Sequence, residues 1–441
     1  MSAIIINILY KLPNRFFPFV LEVILKLFSI SKTNEGSILF INTHDRSGGA
    51  SKIAYQLATY VRKYKQVNML VRYKDRDEGW IFKLASNEEV FDTILSNYLN
   101  DQEKNGGWLD FSKVSFIKHL NLPFVSGAKI IHFHNLHGGY FSYALLPFLS
   151  KRKKLIWTLH DEHAITGHCS FTMKCENWKS GCSTCDFLSI YPAIQADNAL
   201  DLKKHKERWI KKSKITFVTP SHWLSNRLKK AYPFIENVQV IPNGIDISVF
   251  NQHNKIDSRL KFNLPTDKFL VLFIAEYATD NPFKGGETIR ELTRLNSNNN
   301  ILYVTIGGKT QEKSLNYIEL PYIKNENELA LLYSACDLML YPTNADNHPL
   351  VVMEAMSCKL PVLAPKIGGI PEIITHEKDG WLVEEYSKPK VYLQVLYEIY
   401  QFKLTKEDSF YLFGENSRKK IETKFSDVQM LQMYEDLYSK I

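Results

Sequence analysis

Short, unbroken apolar runs alternate along this chain with stretches in which apolar residues recur every three or four positions. The first run, Ser-Ile-Leu-Phe-Ile-Asn at 37–42, predicts a strand. A polar loop carrying Gly48 and Gly49 follows, then a helix predicted over 50–64 with Ile53, Leu57 and Val61 on one face. Further strands are expected at 67–71, 130–133, 155–159, 215–218 and 238–241. Continuous apolar runs spaced by helical stretches read as a parallel sheet buried on both faces. The pattern then restarts. Strands are expected at 269–275, 301–306, 338–341, 361–364 and 380–383, with Lys284-Gly285-Gly286 after the first and a helix beginning near Glu287. The turn Ile-Pro-Asn-Gly-Ile-Asp at 241–246 separates the two series and reads as a linker. A last helix over 428–438 carries Leu431, Leu437 and either Met433 or Tyr434 on one face. No internal repeat and no low-complexity tract interrupts this order. The fold class that follows is α/β, two doubly wound nucleotide-fold domains, with ligands expected beyond the carboxyl ends of the strands.

Composition narrows this picture. A chain of 441 residues with 45 % apolar content carries enough core for two domains. Its net charge of +8 is uneven: residues 1–216 hold 30 Lys+Arg against 19 Asp+Glu, and the remainder 25 against 28. Only the first half is therefore suited to an anionic partner. The basic runs at 151–154 and 203–214 lack the interleaved aromatics of a nucleic-acid surface, so no nucleic-acid partner is expected. An anionic membrane surface or a lipid diphosphate suits them better, with plain solvated faces as the alternative. Residues 3–30 are apolar but interrupted by Lys11, Arg15, Glu22 and Lys26, which leaves no uncharged stretch of the ~20 residues a spanning helix needs. Nor does an apolar core end there in a small-residue cleavage pattern, so no secretory leader is expected. The segment 16–29 fits an amphipathic helix limited by Pro13 and Pro18. It lies either on a membrane interface or on the protein's own surface.

The most informative stretch is Leu-Met-Leu-Tyr-Pro-Thr-Asn-Ala-Asp-Asn-His-Pro-Leu-Val-Val-Met-Glu-Ala-Met-Ser-Cys at 338–358. A buried strand ends at Pro342, a polar loop runs to Asn347 or His348, and a helix starts with Pro349 near its first position. The free backbone amides around His348 to Val351, with those of Leu350 and Val351 beyond Pro349, which has no N–H, then make a site for a diphosphate, assisted by the helix dipole. Asp346 precedes that terminus, and Glu354 follows eight residues later on the face of Leu350, leaning back toward it. Two carboxylates flanking a diphosphate suit sugar and ribose hydroxyls.

This stretch resembles the E-x7-E motif of the retaining glycosyltransferase family 4, which has the GT-B fold: two Rossmann-like domains facing each other across a cleft. Asp346 stands where the first glutamate usually falls, and Glu354 matches the second. The resemblance implies that Asp346 and its neighbours hold the donor hexose and Glu354 the ribose. It extends over most of 37–441. Gly48-Gly49-Ala50 resembles the first-loop glycine motif beside donor phosphate and acceptor. Trp-Thr-Leu-His ending at His160 resembles the strand-end histidine on the donor sugar or phosphate. Residues 242–246 resemble the linker, 368–372 the loop after the motif helix, and Lys284 the cation that neutralises the departing diphosphate. One position departs: the family commonly has an arginine six residues before that lysine, and here stands Ala278, with Phe283 directly before Lys284. Charge at the leaving group is then shared by Lys284 with Lys309, the helix amides or His160.

Two further groups stand out. His132, His134 and His137 close one strand. The leading reading of His134, Asn135, His137 and Asp161 is a polar acceptor side, with packing or a metal site as alternatives for the histidines. Asp75-Arg76-Asp77 has the letters of a D-x-D metal motif but sits in a charged loop, and reads as solvated surface. Cys169, Cys175, Cys182 and Cys185 fall within 17 residues of a polar insertion at 168–186 and end in C-x-x-C. Such a set suits a structural zinc ion, with reduced thiols or disulfides as alternatives. A similar Cys-rich loop occurs in polysaccharide-assembly members of the family. Cys336 and Cys358 stand apart in apolar surroundings and read as core thiols.

The expected domains are an amphipathic extension at 1–35, an acceptor domain at 36–243, a donor domain at 244–424, and a C-terminal helical segment at 425–441 that packs back on the first domain. The expected activity is retaining transfer of a hexose from a UDP- or GDP-sugar to a glycan or lipid-linked glycan in bacterial surface polysaccharide assembly. No catalytic cofactor is expected, and the expected location is cytoplasmic, with peripheral contact with the inner face of the cytoplasmic membrane as one of the two readings of the N-terminal segment. The alternatives are a sugar-nucleotide-binding scaffold subunit and a sugar-nucleotide epimerase on the same fold.

Overall fold

The computed structural model describes residues 36–85, 105–110, 119–274, 283–307, 316–386 and 388–441, with Asp101, Lys113 and Phe116 besides. The amphipathic extension at 1–35, Ala278 and Lys309 lie outside the described residues. Up to Ile241, together with Leu437–Ile441, the described residues form one compact unit, and Pro242–Asp436 forms a second.

The first unit is built on seven parallel strands: β1 (Ile38–His44), β2 (Val67–Tyr73), β3 (Ile81–Lys83), β4 (Ile130–Phe133), β5 (Lys154–Thr158), β6 (Ile215–Thr219) and β7 (Val238–Val240). Their order in the sheet is β3-β2-β1-β4-β5-β6-β7. Phe40 of β1 stands opposite Met69 on one side and His132 on the other. Leu39, Phe40 and Ile41 are all buried, which is why the strand reads as a solid apolar run rather than an alternating one.

The second unit repeats the plan with β8 (Phe269–Ile274), β9 (Ile301–Ile306), β10 (Tyr317–Leu320), β11 (Leu338–Leu340), β12 (Val362–Pro365) and β13 (Gly380–Val383), in the order β10-β9-β8-β11-β12-β13. The α/β class of two doubly wound parallel sheets is as expected. Two strands escaped the sequence reading, and both are edges. β3 has three residues, and β10 is half-buried along its whole length, so neither leaves an apolar run.

In each unit the chain builds outward from the first strand, returns across it and continues on the other side. The reversal falls between β1 and β4 in the first sheet and between β8 and β11 in the second. Diverging connections leave a crevice at the carboxyl ends of such a strand pair, and ligands bind there.

Candidate active site

In the second unit the β8 side of the crevice supplies Lys284, and the segment after β11 supplies residues 341–348. Gly285 makes their approach possible. It has φ +75°, and a β-carbon there would collide with the Pro342 carbonyl. The Phe283 carbonyl accepts hydrogen bonds from the Asn344 amide at 2.7 Å and the Thr343 hydroxyl at 2.8 Å, which locks the two loops together. Gly368, at φ +59°, lies equally close to the Asp346 carbonyl. The glycines at 285 and 368 therefore shape the site through their bare α-carbons.

Within this frame Lys284 pairs with Asp346 and donates to the Tyr341 hydroxyl at 3.1 Å, while that hydroxyl donates to Asp346 Oδ2 at 2.5 Å. Burial works against the Lys284 charge, but Asp346 and Tyr341 outweigh it and hold the ammonium group well above the usual lysine range. Burial and the Asp346 charge likewise push the Tyr341 hydroxyl up. At neutral pH Lys284 is therefore an ammonium group and Tyr341 a neutral phenol. The side chains of Lys284 and Asp346 keep 28 % and 12 % exposure, so both remain reachable.

The helix Leu350–Ser357 begins directly after Pro349, one position later than expected, and no side chain caps it. Its first amides thus have no capping partner of the usual kind. The Asn347 amide donates to Asp346 Oδ1 at 2.8 Å, and the His348 carbonyl accepts from Asn243 at 3.0 Å. His348 is buried, its Nδ1 has no partner, and burial lowers it to about 4, so the ring is neutral at physiological pH. Glu354 is buried in the helix, and Tyr333 donates to its Oε2 at 3.0 Å. Asp346 and Glu354 are thus engaged by different partners, Lys284 and Tyr333.

The first unit presents its own group at the β1–β4 reversal. Gly48 has φ +83° and the helix Gly49–Val61 starts after it, again with no side-chain cap. Asn42 ties the region together, accepting from the Asn135 amide at 3.2 Å and donating to Ser51. Trp157 Nε1 donates to the His134 carbonyl at 2.8 Å. His134 Nδ1 meets His160 Nε2 at 2.9 Å, with the two rings stacked. His134 Nε2 is buried and unpartnered. Burial lowers His160 to about 4, His132 to about 3, and His134 well below the ordinary value, so all three are neutral at pH 7. His132 has both nitrogens engaged, by Tyr438 at 2.6 Å and Thr158 at 2.8 Å, which leaves none for a metal. His137 and Asp161 form a pair at 2.6 Å. Burial opposes the His137 charge, yet Asp161 raises it, and in return the Asp161 carboxyl is lowered against its own burial.

The sequence reading named most of these residues but missed Tyr341 and Tyr333, which bind the two carboxylates. Tyr341 carried one usable signal, a hydroxyl at the end of a buried strand directly before Pro342. Tyr333 lies on a separate helix, Glu326–Ala335, and only folding brings it to Glu354. Asp75 and Asp77 are exposed. The cysteines at 169, 175, 182 and 185 carry no disulfide, and all line one cavity. Among the described residues no group of three or more His, Cys, Asp or Glu side chains already stands in metal-binding positions. No described helix is long and apolar enough to cross a membrane.

Comparison with known proteins matches the Glycosyltransferase Family 4 profile to residues 47–249 and the profile of Glycosyl transferases group 1 to residues 254–397. WcaC of Escherichia coli (strain K12), a glycosyl transferase named for colanic acid biosynthesis, is 25 % identical over 338 residues, covering 72 % of this chain and 77 % of its own. An Escherichia coli UDP-Gal:alpha-D-GlcNAc-diphosphoundecaprenol alpha-1,3-galactosyltransferase is 24 % identical over 223 residues, 48 % of this chain and 56 % of its own length. Among solved structures, sucrose-phosphate synthase from Thermosynechococcus elongatus superposes with a TM-score of 0.66 at 16 % identity, covering 92 % of this chain and 99 % of its own; that likeness is one of fold.

Proposed function

Since this chain is a glycosyltransferase, carrying the family 4 and group 1 domains on a GT-B fold, we propose that it moves a hexose from a UDP- or GDP-sugar to a sugar hydroxyl of a lipid-linked glycan, with retention at the anomeric carbon. The observation that carries this reading is the Lys284–Tyr341–Asp346 cluster beside an uncapped helix start at the β8–β11 reversal. Those groups suit a diphosphate and a sugar on adjacent positions. The diphosphate takes the Lys284 charge and the amides near Leu350 and Val351. Sugar hydroxyls then take Asp346, which Lys284 otherwise neutralises. Glu354, held by Tyr333, is assigned to the ribose.

In the reaction the bond from the anomeric carbon to the diphosphate oxygen breaks, and a bond to the acceptor oxygen forms on the same face. The acceptor proton passes to the departing diphosphate, so no carboxylate base is required. Lys284 offsets the charge that develops on the leaving group, which is stabilisation by a preset cation rather than by covalent chemistry. His160, neutral and aligned by His134, serves as a hydrogen-bonding group. The acceptor side is assigned to His134, Asn135, His137 and Asp161. The basic first half of the chain and the lipid-diphosphate acceptor named for the galactosyltransferase relative support a lipid-linked acceptor. The relative named for colanic acid biosynthesis supports a place in surface polysaccharide assembly.

Calorimetric titration with UDP and GDP, alongside Glu354→Ala, tests the reading. One nucleotide is expected to bind selectively and to lose affinity markedly in the variant. Absence of binding by folded protein overturns the donor site. Conversion of the donor to another sugar nucleotide without any acceptor identifies an epimerase, and binding without transfer a scaffold subunit.

A further inference from the structure

The loop between β5 and the helix Ala199–Lys211 has little regular structure, its ordered pieces being three-residue turns such as Asn177–Lys179. Cys169, Cys175, Cys182 and Cys185 nevertheless all line one small cavity of about 20 Å³, together with Thr166, His168, Thr172 and Trp178. That volume is close to a single water-sized sphere, too small for an organic ligand and sufficient for one ion. His168 adds an orienting contact, its Nε2 lying 3.3 Å from Cys185 Sγ while Nδ1 donates to the Pro192 carbonyl at 2.8 Å.

The second observation is electrostatic. Lys203 and Lys206 are each only 4 % exposed, and every hydrogen bond they make goes to a carbonyl oxygen or to the His163 ring. Lys203 donates to the Trp178 carbonyl and Lys206 to the carbonyls of His163 at 2.8 Å and Thr166 at 3.3 Å. Carboxylates reach them only across intervening space. Arg227 stacks 4.0 Å over the Trp178 ring and donates to Thr172, but Glu162 already balances it. Two buried ammonium groups anchored on the lining of a four-thiol cavity call for an anionic centre, because a buried charge without one is costly.

We propose that this loop is a structural zinc site, with Cys169, Cys175, Cys182 and Cys185 as the four ligands. The balance is direct. A Zn²⁺ ion displaces the four thiol protons to solvent and forms four zinc–sulfur bonds, and the product carries two net negative charges opposite Lys203 and Lys206. No oxidant or reductant takes part. No three of the thiols already stand in metal-binding positions, so binding turns their side chains inward toward the cavity they line. The ion staples a loop that begins a few residues after His160 and Asp161, and so fixes that wall of the first unit.

Metal analysis of the full chain, purified without chelator, tests this. About one zinc ion per chain is expected. It should be lost in Cys182→Ser/Cys185→Ser and retained in Cys336→Ala, whose thiol lies in the other unit. Since the double variant can fail to fold, wild type is also followed during thiol modification. Zinc release should rise with modification of four of the six thiols, and cobalt exchanged into the site should show sulfur-to-metal charge-transfer absorption. Six thiols titrating with no metal released would overturn the proposal. So would fewer than six thiols after unfolding without reductant, which would identify disulfides instead.

Discussion

Lys284 makes two contacts that no donor group supplies, one with Asp346 and one with Tyr341. The cluster therefore balances its own charges, and in the proposed reaction a donor exchanges these partners for a diphosphate and sugar hydroxyls. An ammonium group held this firmly stays charged through the working pH range, as a cation that stabilises a leaving group must. Lys284→Ala should lower kcat on the order of 100-fold, the scale expected for loss of one preset charge-stabilising group, with a smaller effect on nucleotide affinity. Steady-state kinetics beside nucleotide titration checks this; unchanged kcat would remove Lys284 from its assigned role. Lys284, Asp346 and Glu354 were legible because their spacing around a strand end and a helix start carries a chemical meaning. Tyr341 and Tyr333 were not, since a tyrosine in an apolar run reads as core until its hydroxyl has a partner.

At the scale of elements, the site is two loops pressed together at a bare α-carbon. Lys-Gly-Gly after β8 and the segment after β11 meet where Gly285 faces Pro342, and the Phe283 carbonyl bonds to both Thr343 and Asn344. Gly285→Ala should therefore separate them. The left-handed conformation alone costs about 1–2 kcal/mol, and the collision with backbone adds to it. The expected result is loss of nucleotide binding with a lower melting temperature. Wild-type affinity in this variant would show that the contact does not shape the site. Strand boundaries in the sequence were accurate in β4, β9 and β13, the last an edge strand that is still mostly buried, and absent in the edges β3 and β10, one three residues long and the other half-buried throughout. An edge strand has fewer neighbours to satisfy, so its side chains are free to be polar.

For the whole molecule, the consequence of so many buried imidazoles is pH dependence. His132, His160 and His348 titrate at about 3, 4 and 4 in the folded chain against 6.5 for an ordinary histidine, and His134 lies well below it. Burial is the main cause in each. Between pH 6.5 and 4 the unfolded chain binds protons that the folded chain refuses, so stability falls as the pH falls through that window. Each unit of pKa difference is worth about 1.4 kcal/mol at full effect. His137, raised by Asp161, works in the opposite direction but is outnumbered. Asp161 and Asp337 add to the loss at lower pH; Asp337 is held low, despite burial, by Lys255, Lys403 and Arg259. Melting temperatures measured from pH 7 to 4.5 should therefore drop continuously. A flat profile would mean that these rings are not held neutral.

The sequence by itself determined the architecture, because parallel strands covered on both faces demand unbroken apolar runs and the helices between them demand a different period. It also singled out the candidate site, since polar residues collected at the carboxyl ends of those runs have no packing reason to be there. Tertiary structure alone decided which of these residues meet. Lys284 finds Asp346 across 62 positions and His134 finds His160 across 26, at distances set by bare glycines and by sheet order. Pairing across such separations depends on how strands are arranged side by side, and no local pattern of residues carries that information.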